Sequence, residues 1–210
     1  MTERGLFVTF EGVDGSGKST QMRRLAAALR ERGERVVETA EPGGTHVGAQ
    51  IRAILLDPAN SMLGARAELL LYFAARAQNV DEVLDPALAR GEIVLSDRWT
   101  DSTLAYQGWG RGLGEEVVEA LDRIACRGRR PDLTLWIDIP VDAALERARA
   151  GSPDRMDSQQ REFYLKVAEG YRTLARREPD RVRRVDGAGA EEEVFERVWR
   201  AFESFRGRHV

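Results

Sequence analysis

The sequence lacks the features that mark several large classes of protein. Cys126 is the only cysteine among 210 residues, which excludes an internal disulfide framework and a metal site built from several cysteines. We expect this single thiol, in "RIACRG", to pack within a helix. Neither sign of charge dominates, because 32 Lys and Arg oppose 35 Asp and Glu and the formal net charge is −3. The composition therefore gives no basic field of the kind that attracts nucleic acid.

Long hydrophobic runs are also missing. No stretch approaches the roughly 20 apolar residues that span a bilayer. The N-terminal "MTERGLFVTFEG" does not contain the apolar segment of a signal peptide. These absences predict a soluble, cytoplasmic protein.

Five short apolar runs recur along the chain, and segments with helical spacing separate them. The runs are Leu6–Glu11, Arg35–Thr39, Ile93–Asp97, Leu133–Ile139 and Val182–Val185. The longest helical segment extends from Ala65 to about Ala89. Apolar strands that alternate with helices are typical of a parallel sheet covered on both faces. Because no repeat or linker divides the chain, we expect a single α/β domain over residues 1–210, with three layers and a five-stranded parallel sheet.

A glycine-rich loop follows the first apolar run. Gly12-x-x-x-x-Gly17-Lys18-Ser19 matches the phosphate-binding P-loop, between a strand and a helix. Such glycines let backbone N–H groups turn toward phosphate oxygens, and the helix start adds a favourable dipole. Lys18 can reach the outer phosphates, and the Ser19 hydroxyl can bind Mg²⁺. The predicted ATP-binding residues are Gly12, Val13, Asp14, Gly15, Ser16, Gly17, Lys18, Ser19 and Thr20.

The loop alone does not distinguish kinases from GTPases and motor ATPases. The chain has no Asn-Lys-x-Asp segment, which GTPases use to read guanine. In "VLSDR", Asp97 ends an apolar strand as a Walker-B aspartate does, so we predict that it joins Ser19 at the metal. A turn or helix cap is the alternative role for Asp97.

Other side chains suit an acceptor site. Asp14 lies inside the loop, where it would repel phosphates, so we expect it to face a hydroxyl or an arginine. Tyr72 and Arg76 are four residues apart on the long helix and hence share a face. The ring could stack on a base and the guanidinium could read its edge, although core packing is an equal alternative for Tyr72.

Several segments together resemble a known family. "FEGVDGSGKST", "EPGGTHVGAQIR", "AELLLYFAARAQ", "SDRWTDSTLAYQGWGRGLG" and "DRMD" occur in the order found in bacterial thymidylate kinases. The resemblance extends from Leu6 to about Gly187. It implies a P-loop NTPase fold and transfer of the ATP γ-phosphate to dTMP with Mg²⁺. It also implies a homodimer formed through helices such as the long one.

The resemblance further implies the roles of individual residues. Arg52 and Arg98 would grip the acceptor phosphate, and Tyr72 would stack on thymine beside Arg76. A tyrosine ring beneath the sugar would crowd a 2′-hydroxyl. Two positions depart from the family pattern, with Tyr72 where Phe is usual and Trp99 where Tyr or Phe is common. The dTMP-binding residues implied are Asp14, Arg52, Tyr72, Arg76, Arg98, Ser102, Thr103, Tyr106 and Gln107.

The transferring phosphoryl group also needs positive charge. The variable loop positions 13–16 carry no basic residue, whereas "RARAGSPDRMD" supplies a short arginine-rich lid at about 147–157. The chain thus resembles family members with a lid arginine, and a solvated basic loop is the alternative. The predicted catalytic residues are Lys18, Asp14, Arg98, Arg149 and Arg155.

Two other functions compete with this interpretation. One is a kinase for another nucleoside monophosphate, such as dUMP, dCMP or dGMP. The other is a nucleotide-dependent switch or partitioning ATPase, which would have no phosphate-acceptor site. The acceptor-side motifs favour the kinases.

Overall fold

The computed structural model describes residues 5–149, 155 and 160–208. Five strands form one parallel sheet in the order β2-β3-β1-β4-β5. They are β1 (Leu6–Glu11), β2 (Val36–Ala40), β3 (Ile93–Asp97), β4 (Leu133–Asp138) and β5 (Val182–Asp186). The predicted sheet is confirmed, and each predicted strand end lies within one residue of the observed one.

Helices cover both faces of the sheet in the described part of the chain. They are α1 (Lys18–Glu31), α2 (His46–Leu56), α3 (Ala65–Asn79), α4 (Asp85–Ala89), α5 (Thr100–Thr103), α6 (Glu115–Ala125), α7 (Val141–Arg149), α8 (Arg161–Arg177) and α9 (Glu191–Arg206). The long helix predicted from Ala65 to Ala89 is present, but a π-helical turn at Val80–Leu84 separates α3 from α4. Pro86, the second residue of α4, has no N–H to donate, so the regular hydrogen-bond pattern is interrupted here.

The core has a layer on each side of the sheet. On one side, Leu25 of α1 and Phe202 of α9 pack with Val8 of the central strand. On the other, α3 and α4 pack with a cluster that includes Trp99 and Cys126. Cys126 is fully buried as expected, but it directly follows the last residue of α6 rather than lying within the helix, and burial raises the pKa of its thiol.

The topology brings the predicted motifs to one edge of the sheet. The P-loop follows the central strand β1, and Asp97 ends the neighbouring strand β3, where Phe10 and Asp97 are register partners. Ligands of open α/β sheets bind at this carboxyl edge. No helix in the described ranges is long and apolar enough to cross a membrane.

Candidate active site

The P-loop has the conformation that its glycines predict. Gly15 and Gly17 have φ angles of 78° and 89°, in the left-handed region that glycine favours. A Cβ at Gly15 would lie 2.1 Å from the carbonyl oxygen of Ala144 in α7, so only glycine fits there. Gly17 precedes the first residue of α1, and the helix therefore starts at the loop. Lys18 is buried at this helix start.

Ser19 and Asp97 meet beside the loop. The Ser19 hydroxyl donates a hydrogen bond to the Asp97 carboxylate, although the two residues are 78 positions apart. Hydroxyl and carboxylate oxygens are the ligands that Mg²⁺ prefers, and P-loop enzymes use this pair with phosphate oxygens. Ser19 and Asp97 could therefore hold Mg²⁺ if phosphate oxygens supplied further ligands, and this role stays a prediction.

Asp14 joins the loop to Arg98. Its Oδ1 lies 2.6 Å from Arg98 Nη2 and 3.5 Å from Lys18 Nζ, and its Oδ2 accepts a 3.0 Å hydrogen bond from Tyr106. The acid therefore faces an arginine and a hydroxyl, as expected from the sequence. Burial raises the pKa of Asp14, but Arg98 and Lys18 outweigh this effect and lower it overall. Asp14 is thus ionised at neutral pH.

Arg98 occupies a strained and highly connected position. Its φ angle is 75°, which is uncommon for a residue with a side chain and is enriched at functional sites. Nη1 donates to the Gly12 carbonyl and to the Ser102 hydroxyl, each at 2.9 Å. The guanidinium lies over the Tyr106 ring, 4.8 Å from its centroid. These contacts hold the cation beside the P-loop.

A cavity next to Arg98 collects the predicted acceptor residues. All nine residues predicted to bind dTMP line it. Among them, Tyr72 has a half-buried ring, and burial raises the pKa of its phenol to about 12. Its hydroxyl makes no hydrogen bond within the described part of the chain. The structure therefore brings these residues together, and their individual roles stay predictions.

A second cavity, on the P-loop side, meets the first at two arginines. Lys18, Ser19 and Asp97 line the second cavity, and Arg52 and Arg98 line both. Arg52 donates to the Pro42 carbonyl at 2.9 Å and has no carboxylate partner among residues 5–149, 155 and 160–208. Arg52 and Arg98 are therefore suited to bind an anion between the two cavities, since arginine can bind phosphate through two hydrogen bonds.

The lid prediction is only partly covered by the described residues. Arg155 is buried, and it donates to the Leu55 carbonyl at 2.7 Å and to Glu68 at 2.5 Å. Gln107 also donates to Glu68, at 2.9 Å, so Arg155 is linked to the acceptor cavity through this carboxylate. The backbone of Arg149 ends α7, but its side chain lies outside the described residues. The catalytic roles of both arginines stay predictions.

Several buried residues at the site were not singled out from the sequence. They are Glu11, Glu41, Glu68 and Tyr171. Glu11 accepts hydrogen bonds from the Trp99 N–H at 2.7 Å and from Ser102 and Tyr171. Burial and the nearby Asp101 raise its pKa. The sequence feature that could have pointed to Glu11 is its place as an acid at the end of the apolar run "LFVTFE".

Glu11 provides a prediction on pH. Because its pKa is raised in the folded protein, folding binds a proton, and the free energy of unfolding falls as pH rises above the unfolded value of about 4.3. Glu11→Gln removes the titrating carboxyl group and with it this uptake of a proton on folding. We expect its unfolding free energy, measured with urea, to fall less steeply between about pH 5 and pH 7, by up to about 1.4 kcal/mol per pH unit. Parallel curves for the variant and the original chain would contradict this, and the exposed Glu203→Gln is the control.

Comparisons with known proteins agree with the geometry. A family model described as thymidylate kinase matches residues 10–198. The thymidylate kinase of Pelobacter propionicus is 50% identical over 201 residues, which cover 92% of each chain. That of Syntrophotalea carbinolica is 49% identical over 200 residues, which cover 92% of this chain and 93% of its own.

A solved structure extends the likeness to the fold. The crystal structure of thymidylate kinase from Ehrlichia chaffeensis superposes with a TM-score of 0.78 at 31% identity, and the match covers 95% of this chain and 99% of that one. It shares the P-loop NTPase architecture that the sequence predicts. With the sequence, the sheet and the paired cavities all in agreement, the chain belongs to the thymidylate kinase family.

Proposed function

We propose that this protein is a thymidylate kinase, which transfers the γ-phosphoryl group of ATP to the phosphate of dTMP. An acceptor phosphate oxygen bonds to the γ-phosphorus as the bond to the β–γ bridging oxygen breaks, giving dTDP and ADP. The acceptor oxygen is already ionised at neutral pH, so the reaction needs no general base. Positioning and neutralisation of charge carry the step, as in other phosphoryl transfers. The product lies on the route to dTTP.

One observation carries this proposal. The P-loop cavity and the acceptor cavity share Asp14, Arg52 and Arg98, so two phosphate-bearing ligands would meet end to end at these residues. A nucleotide switch would need the P-loop cavity alone. The ATP phosphates would bind in the loop with Lys18, and the acceptor phosphate would bind to Arg52 and Arg98.

Mg²⁺ belongs to the same proposal. Ser19 and Asp97 would hold the ion, which would neutralise charge on the donor phosphates. Lys18 and the lid arginines Arg149 and Arg155 would supply further positive charge, because the loop positions 13–16 contain none. Asp14 would orient Arg98 and Lys18 beside the acceptor sugar.

The proposal includes a homodimer and a cytoplasmic location. On α3, Leu69 and Phe73 are buried against the sheet, whereas Leu70 is 56% exposed. Val117 and Ile124 of α6 are 47% and 76% exposed, and α6 packs against α3. Exposed apolar side chains on adjacent helices favour an interface between two copies.

A panel of phosphate acceptors tests the proposed function. ADP release would be measured with ATP, Mg²⁺ and each of dTMP, dUMP, dCMP and dGMP. We expect dTMP to give the highest kcat/KM, because Tyr72, Arg76 and Thr103 line the acceptor cavity and would contact the base. Equal or faster turnover of another monophosphate would contradict the assignment of substrate. ATP hydrolysis that no monophosphate changes would instead support a switch protein.

A further inference from the structure

Glu41 is a buried acid that faces the acceptor cavity without a hydrogen bond. It follows β2, and its backbone N–H donates to the Asp97 carbonyl at 2.9 Å, which fixes it at the edge of the sheet. Its side chain is fully enclosed, yet it lines the cavity beside Tyr72 and Arg76. Within the described part of the chain, neither carboxylate oxygen has the geometry of a hydrogen bond, and Arg76 and then Asn79 are the neighbours that favour its charged form. Burying a carboxylate without a hydrogen bond costs free energy of folding, and such groups are concentrated at functional sites.

The cation next to Glu41 is equally enclosed. Arg76 has a side chain only 1% exposed, and its Nε lies 3.9 Å from Glu41 Oε2 without a hydrogen bond. Nη1 lies 3.4 Å from the Thr100 hydroxyl. The Phe73 and Trp99 rings lie 5.0 and 5.3 Å from the guanidinium carbon. In the ranges that the structure describes, the guanidinium hydrogen-bonds only through Nη1, so Nη2 can donate to a ligand.

We propose that Glu41 is a positioning residue for Arg76, which sets the guanidinium so that Nη2 faces the base of the acceptor nucleotide. This inference rests on the proposed function. The two rings lie against the guanidinium, and the attraction of the nearby carboxylate for Nε favours one orientation of the group without locking it. An arginine offers only donors, so Nη2 in this orientation selects a base edge that presents a carbonyl oxygen over one that presents an amino group.

The geometry distinguishes this role from that of a structural ion pair. Arg98 and Asp14 are 2.6 Å apart and hydrogen-bonded, whereas Arg76 and Glu41 are 3.9 Å apart and not hydrogen-bonded. Buried pairs contribute little net stability even when their geometry is good. The looser pair leaves room for the guanidinium to tighten onto a bound base.

The first test separates affinity from turnover. For Glu41→Gln we expect KM for dTMP to rise about 10-fold, equivalent to ~1.4 kcal/mol, while kcat and KM for ATP stay within about twofold. The ratio of kcat/KM for dTMP to that for dCMP is expected to fall. Without the carboxylate, the guanidinium can take other orientations, so it no longer selects a base that presents a carbonyl oxygen. Glu38→Gln is the matched control, since Glu38 is on β2, three residues before Glu41, and pairs with the exposed Arg30. An unchanged KM for dTMP in Glu41→Gln would overturn the inference.

A double-mutant cycle tests whether Glu41 acts through Arg76. In an Arg76→Met background, Glu41→Gln is expected to change KM for dTMP by less than about twofold. Additive effects would mean that Glu41 contacts the base itself, and would also overturn the inference. If Glu41→Gln does not fold, Glu41→Asp serves in its place. We expect a smaller rise in KM for dTMP in this variant, and an unchanged KM would contradict the inference. Failure of the original chain to phosphorylate dTMP would instead refute the proposed function.

Discussion

The Arg98→Ala variant is expected to bind dTMP roughly 10- to 100-fold more weakly than the original chain, because hydrogen bonds to charged groups each contribute about 1.5–3 kcal/mol. Arg98 lines the acceptor cavity and is held by Asp14 at 2.6 Å, so its loss removes a cation from the acceptor phosphate and leaves Asp14 with Lys18. ATP affinity should change by less than about threefold. Titration calorimetry with each nucleotide alone measures both values.

Arg176→Ala provides the control for this experiment. Arg176 is an exposed arginine on α8 that pairs with Glu169 at 2.8 Å, so its removal changes the net charge equally without touching either cavity. Equal weakening of ATP and dTMP binding in Arg98→Ala would contradict the role of Arg98 at the acceptor phosphate. Thermal unfolding of both variants checks that the fold is retained.

The Lys18→Met variant is expected to lose about 10²- to 10³-fold in kcat, the magnitude typical for removal of one group that stabilises developing charge. Lys18 is buried at the start of α1, 3.5 Å from Asp14. Methionine retains the length and the apolar stem of lysine but not its charge. Single-turnover measurements at saturating ATP and dTMP would report the chemical step directly.

The chain offers a matched control for Lys18→Met. Its only other lysine, Lys166, is exposed on α8, and Lys166→Met removes the same charge at a distant surface. Near-normal kcat is expected for this control. A Lys18→Met enzyme with turnover close to that of the original chain would exclude Lys18 from the chemistry.

Much of the fold was predictable because it depends on local signals. Strands buried on both faces are apolar throughout, so each is visible as a continuous run such as "LFVTFE". The P-loop conformation requires glycine at positions of positive φ, which leaves a distinct pattern at Gly12 and Gly17. The π-helical turn at Val80–Leu84 was not predictable, because its residues have the same spacing as the helices on either side.

The candidate site was predictable only where a motif marks it. Asp97 and Ser19 belong to known patterns, and the structure brings them into contact. Glu41 and Trp99 belong to none that assigns them a role, and their importance depends on meeting Arg76. The cavity that Glu41 faces is formed by elements that are distant in the sequence. A local stretch of sequence therefore cannot predict it.

The close approach at Gly15 constrains which sequences this loop can accept. Backbone touches backbone there, since an added carbon would lie 2.1 Å from the Ala144 carbonyl oxygen. With no side chain between them, the P-loop and α7 are in direct backbone contact. Even Gly15→Ala would therefore push α7 away from the phosphate-binding loop, so one methyl group at this position would alter the site from both sides.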